Sequence, residues 1–362
     1  MKAGITIEAM GAEILRQSQV KADYSANTRN IEMEAFGSDI VMRMYNDEGH
    51  DVVEPLSINS LAHRQIGTHL KIPATYYDRM LTENADLLAT NVNTWFRNNP
   101  AQRMVRTLDG TTRAFLSNRY RRIDHLEILQ AVLPIIGKIE NAQFESCEIT
   151  DDRMYIKVVN PRLQTDITVG DTVQAGVMIS NSETGQGSVC ITPLIFRLVC
   201  LNGMVVNDAK TRKNHVGREN STDENFLLYS DDTLKAIDHA FIKKVQDTVE
   251  AAVDEARFHK VVDMMRNATE AIMSTADVPG VVRLASKDYG LNETEGEGVL
   301  NHLIAGKDLS LYGLANAVTR FSQDVDSYDR ATKLEGVGYD ILSMDRKQWN
   351  RLNNQSAVLL AA

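Results

Sequence analysis

LIFRLVCLNGMVV, residues 194–206, puts apolar side chains on both alternating faces, the pattern of a strand covered on two sides. Its Asn202-Gly203 pair predicts a two-residue hairpin turn, because both central positions of a type I′ turn need positive φ. Arg197 is the anomaly. On its strand it shares a face with Val189, Ile191, Ile195 and Val199, and a charge in such a stripe needs an internal partner or an anionic ligand. An internal ion pair would fix how the sheet meets a helical layer. The alternative turns Arg197 into a binding groove.

More strands precede this one. DTVQAGVMISNS (171–182) and GSVCITPLIFRLVC (187–200) read as neighbours joined by the polar loop NSETGQG. QFESCEIT (143–150) and RMYIKVVN (153–160) form a pair across Asp151-Asp152, and RMVRTLDGTTRAFLS (103–117) a hairpin around Asp109-Gly110. Between them IDHLEILQAVLPII (123–136) has the period of an amphipathic helix with Asp124 at its N-cap. The order predicts an α+β fold: an antiparallel sheet with hairpins and a packed helix, followed by a mainly helical C-terminal part.

Three regions are expected. Residues 1–95 form a mixed segment with apolar bursts at IEMEAF and DIVMRMY and a helical hairpin in SINSLAHRQIGTHLKIPATYYDRML (57–81). That hairpin reads either as a DNA-binding helix-turn-helix or, more simply, as two helices packed on the core. Residues 96–219 are the β-rich core with its basic hairpin, and 220–362 the helical part packed on it. In 220–271, 11 acidic residues stand against 6 basic ones, and Leu234, Ile237, Phe241, Val245 and Val249 mark one helical stripe. GLNETEGEGVL (290–300) reads as a Gly-rich acidic loop before the helix LSLYGLANAVTRFSQDV.

Composition bounds the function. The 362 residues carry a net charge of −10, 43% hydrophobic and 24% charged residues, the profile of an ordinary soluble protein. Bulk attraction to nucleic acid or anionic lipid is not expected from that charge. No apolar run of membrane-spanning length occurs, and the first residues lack a continuous apolar core for a secretory signal. Cys147, Cys190 and Cys200 are widely spaced and form no CxxC, so they read as reduced core thiols in a cytosolic protein. No P-loop, dinucleotide fingerprint, HExxH or GxSxG is present. The expectation is a protein without cofactor or metal. Glu183, on the NSETGQG loop, is the best isolated candidate for acid–base chemistry.

The strongest local signal is WFRNNPAQRMVRTLDGTTRAFLSNRYRR (95–122), with seven arginines against Asp109, a local charge of +6. A two-residue turn at Asp109-Gly110 would set Arg106 opposite Arg113, which is unfavourable without a compensating anion. Arginine rather than lysine favours forked contacts to phosphate or carboxylate. A second cluster, AKTRKNHVGR (209–218), follows the opening strand. These residues predict a track for single-stranded nucleic acid, DNA before RNA. Arg106, Arg113, Arg119, Arg121 and Arg122 would grip phosphates, and Lys210, Arg212, Lys213, His215 and Arg218 would extend the track. Tyr120 or Trp95 would stack on a base, with Arg197 facing the groove if it has no internal partner.

Taken together, GVMISNSETGQGSVCITPLIFRLVCLNGMVV, AFLSNRYRRIDHLEIL and LANAVTRFSQDVDSYDRATKLEGVGYDIL resemble the phage- and plasmid-like family called domain of unknown function 932. The resemblance runs from about Ser57 to Leu342 and implies a mobile-element setting in a host cytosol, with no catalytic residues to carry over. The hairpin, helix and antiparallel strands are also similar in order to single-strand-annealing recombinases of the phage Red beta type, a likeness of topology alone. The leading expectation is a non-catalytic, annealing or protective nucleic-acid-binding protein, assembling as a homo-oligomer. One alternative is an interaction module that inhibits a host defence protein through its acidic surface. The other is a metal-dependent nucleotide or phosphodiester enzyme using Glu183, His215 and Arg197.

Overall fold

The computed structural model describes residues 1–37, 39–118, 120, 122–187, 189–207, 215–216, 231–252, 254–273 and 277–359. Its first part contains α1 (Ile7–Val20), β1 (Ala22–Asn27), β2 (Ile31–Phe36), β3 (Asp39–Met44) and β4 (Leu56–Ile58). Then come α2 (Ser60–Leu70), α3 (Ala74–Glu83), α4 (Ala85–Asn98) and the hairpin β5 (Gln102–Leu108) and β6 (Thr111–Ser117). These strands form one sheet in the order β1-β5-β6-β4-β3-β2, antiparallel except where β4 runs parallel to β6. The bursts at 31–36 and 39–45 are thus its outer hairpin. Their inward side chains Ile31, Met33, Ile40, Met42 and Met44 pack under Ile66, Tyr77, Met80, Leu88, Val92 and Phe96 of the three helices. The 57–81 helices are therefore a core-covering pair.

The second part holds α5 (His125–Ile136), β7 (Gln143–Ile149), β8 (Met154–Asp166), β9 (Thr172–Asn181), β10 (Val189–Arg197), β11 (Asn202–Val205) and β12 (His215–Val216). Its sheet runs β11-β10-β9-β8-β7, with β12 also on β10. The helices α6 (Asp231–Ala252), α7 (Glu255–Glu270), α8 (Val278–Tyr289), α9 (Glu293–Gly306), α10 (Leu311–Phe321), α11 (Tyr328–Leu342) and α12 (Arg346–Leu359) follow. This is the expected α+β fold with a helical C-terminal part. The segment expected as one β-rich core contributes to both sheets, because the basic hairpin pairs with β1 and β4.

Both faces of the second sheet are covered. Val158, Val177, Ile179 and Ile191 meet α1, α5 and α6 through Met10, Ile128, Val132, Phe241, Val245 and Val249. Farther along, Val173, Ala175 and Ile195 meet Phe258 and Val262 of α7 and the C-terminal helices. On the opposite face Lys157, fully buried, donates to Glu335 at 2.7 Å and to Thr332 at 3.0 Å, tying β8 to α11. Phe241, Val245 and Val249 of the α6 stripe thus lie in the core beneath the second sheet.

Several local readings change. The chain reverses over Leu198–Leu201, with Leu201 at φ 51°, and Asn202 and Gly203 are already in β11, paired with Arg197 and Phe196. Gly203 serves close approach: a Cβ there would lie 2.4 Å from the Met1 side chain and 3.2 Å from Leu194. Residues 293–300 are helical, the start of α9, where Asn292 and Glu295 form a capping box. Gly298 lets Phe321 pack against that helix, since a Cβ would sit 2.1 Å from its ring. The Asp109-Gly110 turn is as expected, with φ of 50° and 73°. A bulge between Arg106 and Thr107, however, sets Arg106 opposite Ala114 rather than Arg113. Among the cysteines, all free, Cys147 alone is buried, and burial pushes its thiol up to about 12.

Candidate functional site

The two sheets meet at a buried polar hub. β5 and β6 deliver Arg106 and Arg113, the α1–β1 junction delivers Lys21 and Asp23, and the start of α5 delivers Asp124 and His125. The 181–187 loop drops Glu183 into the middle, 2% exposed. One carboxylate oxygen accepts from the His125 main-chain N–H at 2.6 Å and from Lys21 Nζ at 3.1 Å; the other accepts from Arg113 Nη2 at 2.5 Å. Its main-chain carbonyl accepts from Arg106 Nη1 at 2.8 Å.

Arg106 is fully buried and forks onto Asp23 at 2.7 and 3.2 Å while reaching Asp124 at 2.8 Å. Lys21 also meets Asp124 at 3.0 Å, and Arg122 meets Asp23 at 3.0 Å. Asp124 heads its helix without capping it, because its carboxylate is committed to Arg106 and Lys21. Four cations (Lys21, Arg106, Arg113, Arg122) surround three carboxylates (Asp23, Asp124, Glu183), so the charges nearly cancel.

Burial pushes the Glu183 carboxyl up, but His125, Arg113 and Lys21 outweigh it and hold the group well below the usual carboxylate range. Burial also pushes His125 down to about 4, so at neutral pH Arg113 and Lys21 supply the positive charge. Glu183 is thus a buried anchor, ionised at neutral pH, whose carboxylate accepts three hydrogen bonds.

The sequence-predicted residues separate accordingly. Arg106 and Arg113 do not form an exposed basic face; a strand pair with buried arginines is instead neutralised by acids from distant segments. Arg122 keeps 57% of its side chain exposed beside Asp23. The half-buried Tyr120 donates its hydroxyl to the Ser182 carbonyl at 3.3 Å. Trp95 is 45% exposed on α4. Arg197 forks onto Asp171 at 2.6 and 2.9 Å, lies over the Tyr312 ring, and Tyr312 donates to the same carboxylate at 2.9 Å. It is an internal pair joining β10 to α10. His215 is in β12, opposite Cys190. Arg119, Arg121, Lys210, Arg212, Lys213 and Arg218 lie outside the described residues.

Beside the hub runs an open groove of about 440 Å³. One wall is a single face of α2, with Leu61, Arg64, Gln65, Thr68 and His69; the other is Arg103, Phe115, Leu116 and Ser117 of the hairpin with Gly185 and Gln186 of the loop. Gln65 clamps the walls together, accepting from the Phe115 N–H at 2.7 Å and donating to the Thr184 carbonyl at 2.8 Å. Gly185 has φ of 81°, a conformation that favours glycine, and a Cβ there would also press on the Leu116 tip at 2.6 Å.

Arg103 is the odd cation of the hairpin. Its guanidinium lies 5.0 Å over the Phe115 ring, with its Nε buried and unbonded among the described residues. No carboxylate pairs with it there, and burial pulls its pKa down. His69 flanks the same ring at 5.7 Å, and its Nε2 is likewise buried without a partner. Burial, then the Arg103 charge, pull its pKa down as well.

Sequence reading placed Arg103 in the basic segment without singling it out, and missed Arg64 in the groove and Lys21 and Asp23 in the hub. Strand alternation could have separated Arg103 from Arg106. The Lys21–Glu183 meeting, across 162 residues, leaves no local signal.

With this geometry in place, comparison with known families gives one match. Residues 114–353 match the family described as Domain of unknown function (DUF932). The chain belongs to that family. Its matched region begins inside β6 and takes in the second sheet and the C-terminal helices, so the hub joins family and preceding segments. No curated protein and no solved structure matches the chain. No helix among the described residues is long and apolar enough to cross a membrane.

Proposed function

We propose that this protein binds single-stranded nucleic acid without catalysing a reaction, using the groove between α2 and the β5–β6 hairpin. One observation carries the reading: Arg103, a guanidinium without an acid partner among the described residues, lines an open groove together with the exposed Arg64. Every other described arginine of the basic segment (Arg97, Arg106, Arg113 and Arg122) is matched to a carboxylate, as Arg97 is to Glu32 at 2.8 Å. An unmatched, partly desolvated guanidinium gains most from an anion, and phosphate fits its planar fork. Thr68, Ser117 and Gln186 add hydrogen-bonding groups, and Leu61 and Leu116 an apolar floor.

The reading moves the contact from Arg106 and Arg113, which are consumed internally, to Arg64 and Arg103. In a mobile-element setting, which the sequence resemblance implies, such a protein would protect or anneal strands, as a host-cell cytosolic homo-oligomer. The test is titration of labelled oligonucleotide at low and moderate salt, with molar mass measured alongside. Binding that weakens as salt rises, and weakens further in Arg103→Ala and Arg64→Ala, supports the reading. Absence of binding at low salt defeats it.

A further inference from the structure

We infer that the groove recognises a terminal phosphate monoester, so that the protein holds strand ends rather than strand interiors. This rests on the nucleic-acid reading above and makes it specific. The first argument is charge. Among the described residues Arg64 and Arg103 line the groove and no carboxylate does, with Asp152 close enough to feel the Arg64 charge, so the walls themselves present two positive charges. An internal phosphodiester offers one negative charge. A monoester offers about −1.5 to −2 near pH 7 and three free oxygens.

The second argument is the supply of donors. Arg103 Nε and His69 Nε2 are both buried without partners among the described residues, and both groups flank the Phe115 ring; with its proton on Nε2 the histidine is a second donor. Two polar nitrogens desolvated in one wall are a standing cost that a ligand oxygen relieves after a small side-chain shift. The three unesterified oxygens of a monoester can serve Arg64, Arg103 and His69 together; a diester inside a strand has two free oxygens and must route chain through both ends.

The third argument is size. At about 440 Å³ the groove lies in the range of small-ligand pockets, roughly 300–1,000 Å³. A track that follows a strand engages about 4–16 nucleotides. The groove therefore takes one phosphate and one attached nucleoside on Leu61 and Leu116, with the rest of the strand leaving it.

The experiment compares the full chain with three oligonucleotides of one sequence, bearing a 5′-phosphate, a 3′-phosphate, or hydroxyls at both ends, at fixed low salt. One phosphorylated form should bind about tenfold more tightly than the hydroxyl form, and inorganic phosphate should erase that advantage. Arg103→Ala and the exposed Arg64→Ala should each bring the two forms to near-equal affinity; Arg64→Ala carries the test if the other variant fails to fold. Arg103→Lys, which keeps charge and loses the fork, should retain part of the preference. Equal binding of all three oligonucleotides overturns end recognition and leaves strand binding standing. If none binds, the nucleic-acid reading fails and the inference goes with it.

Discussion

Arg113 Nη2 and Glu183 Oε2 meet at 2.5 Å, joining β6 to the 181–187 loop with both side chains buried. Removing one member strands the other charge in a poorly solvated place, which typically costs ~3–5 kcal/mol. Glu183→Gln and Arg113→Met should each lower the unfolding free energy by about that amount. The double variant should cost clearly less than the sum. Urea denaturation of the four proteins measures this, and simple additivity would deny the coupling.

The two arginines of β5, Arg103 and Arg106, should behave oppositely. Arg106→Ala opens the hub and leaves Asp23 and Asp124 facing each other, so it should destabilise by several kcal/mol, again ~3–5. Arg103→Ala removes no ion pair and should change stability by about 1 kcal/mol or less while reducing oligonucleotide affinity. A thermal melt and an anisotropy titration on the same samples separate the effects; the reverse pattern would place the binding surface elsewhere.

At the other end of the second sheet, Asp171 gathers Arg197 and Tyr312. Tyr312→Phe deletes one hydrogen bond to a charged acceptor and should cost ~1.5–3 kcal/mol. Asp171→Asn, which leaves the Arg197 charge without a counter-ion, should cost more. Comparing the two denaturation midpoints checks the order.

Acid should unfold this protein early. Burial pushes His63 and His125 down to about 4, whereas in the unfolded chain each takes a proton near about 6.5. Between those values the unfolded state binds more protons, so stability rises with pH across that window. Their contribution is complete above about 6.5 and is lost as pH falls towards about 4, with a slope of at most ~1.4 kcal/mol per pH unit for each. Glu183, held below its ordinary range, adds a loss of the same sign at lower pH. Denaturation from about pH 7.5 to pH 5 should show the slope, reduced in His63→Gln; a flat profile would contradict the buried neutral state.

Much of the strand and helix pattern was readable because it rests on short-range rules. Positive φ at Asp109-Gly110 made that hairpin visible, and the stripe ending in Phe241, Val245 and Val249 marked a buried helix face. Arg197 was legible as a charge needing a partner, though not that Asp171 and Tyr312 would supply it. Local rules misled where a residue served packing. Gly203 and Gly298 are small because Met1 and Phe321 come close, and nothing adjacent in sequence announces those neighbours.

The order of residues alone determined the α+β class, the family kinship and the concentration of arginine at 95–122, since each depends on composition, periodicity or motif. Tertiary structure alone decided which arginines are available. Coulomb energy depends on distance in space, and Asp23, Asp124 and Glu183 reach Arg106 and Arg113 from segments 18 to 83 residues away. The three-residue step from Arg103 to Arg106 puts them on opposite faces of β5, one on the groove wall and one in the hub, a distinction that a count of charges does not contain.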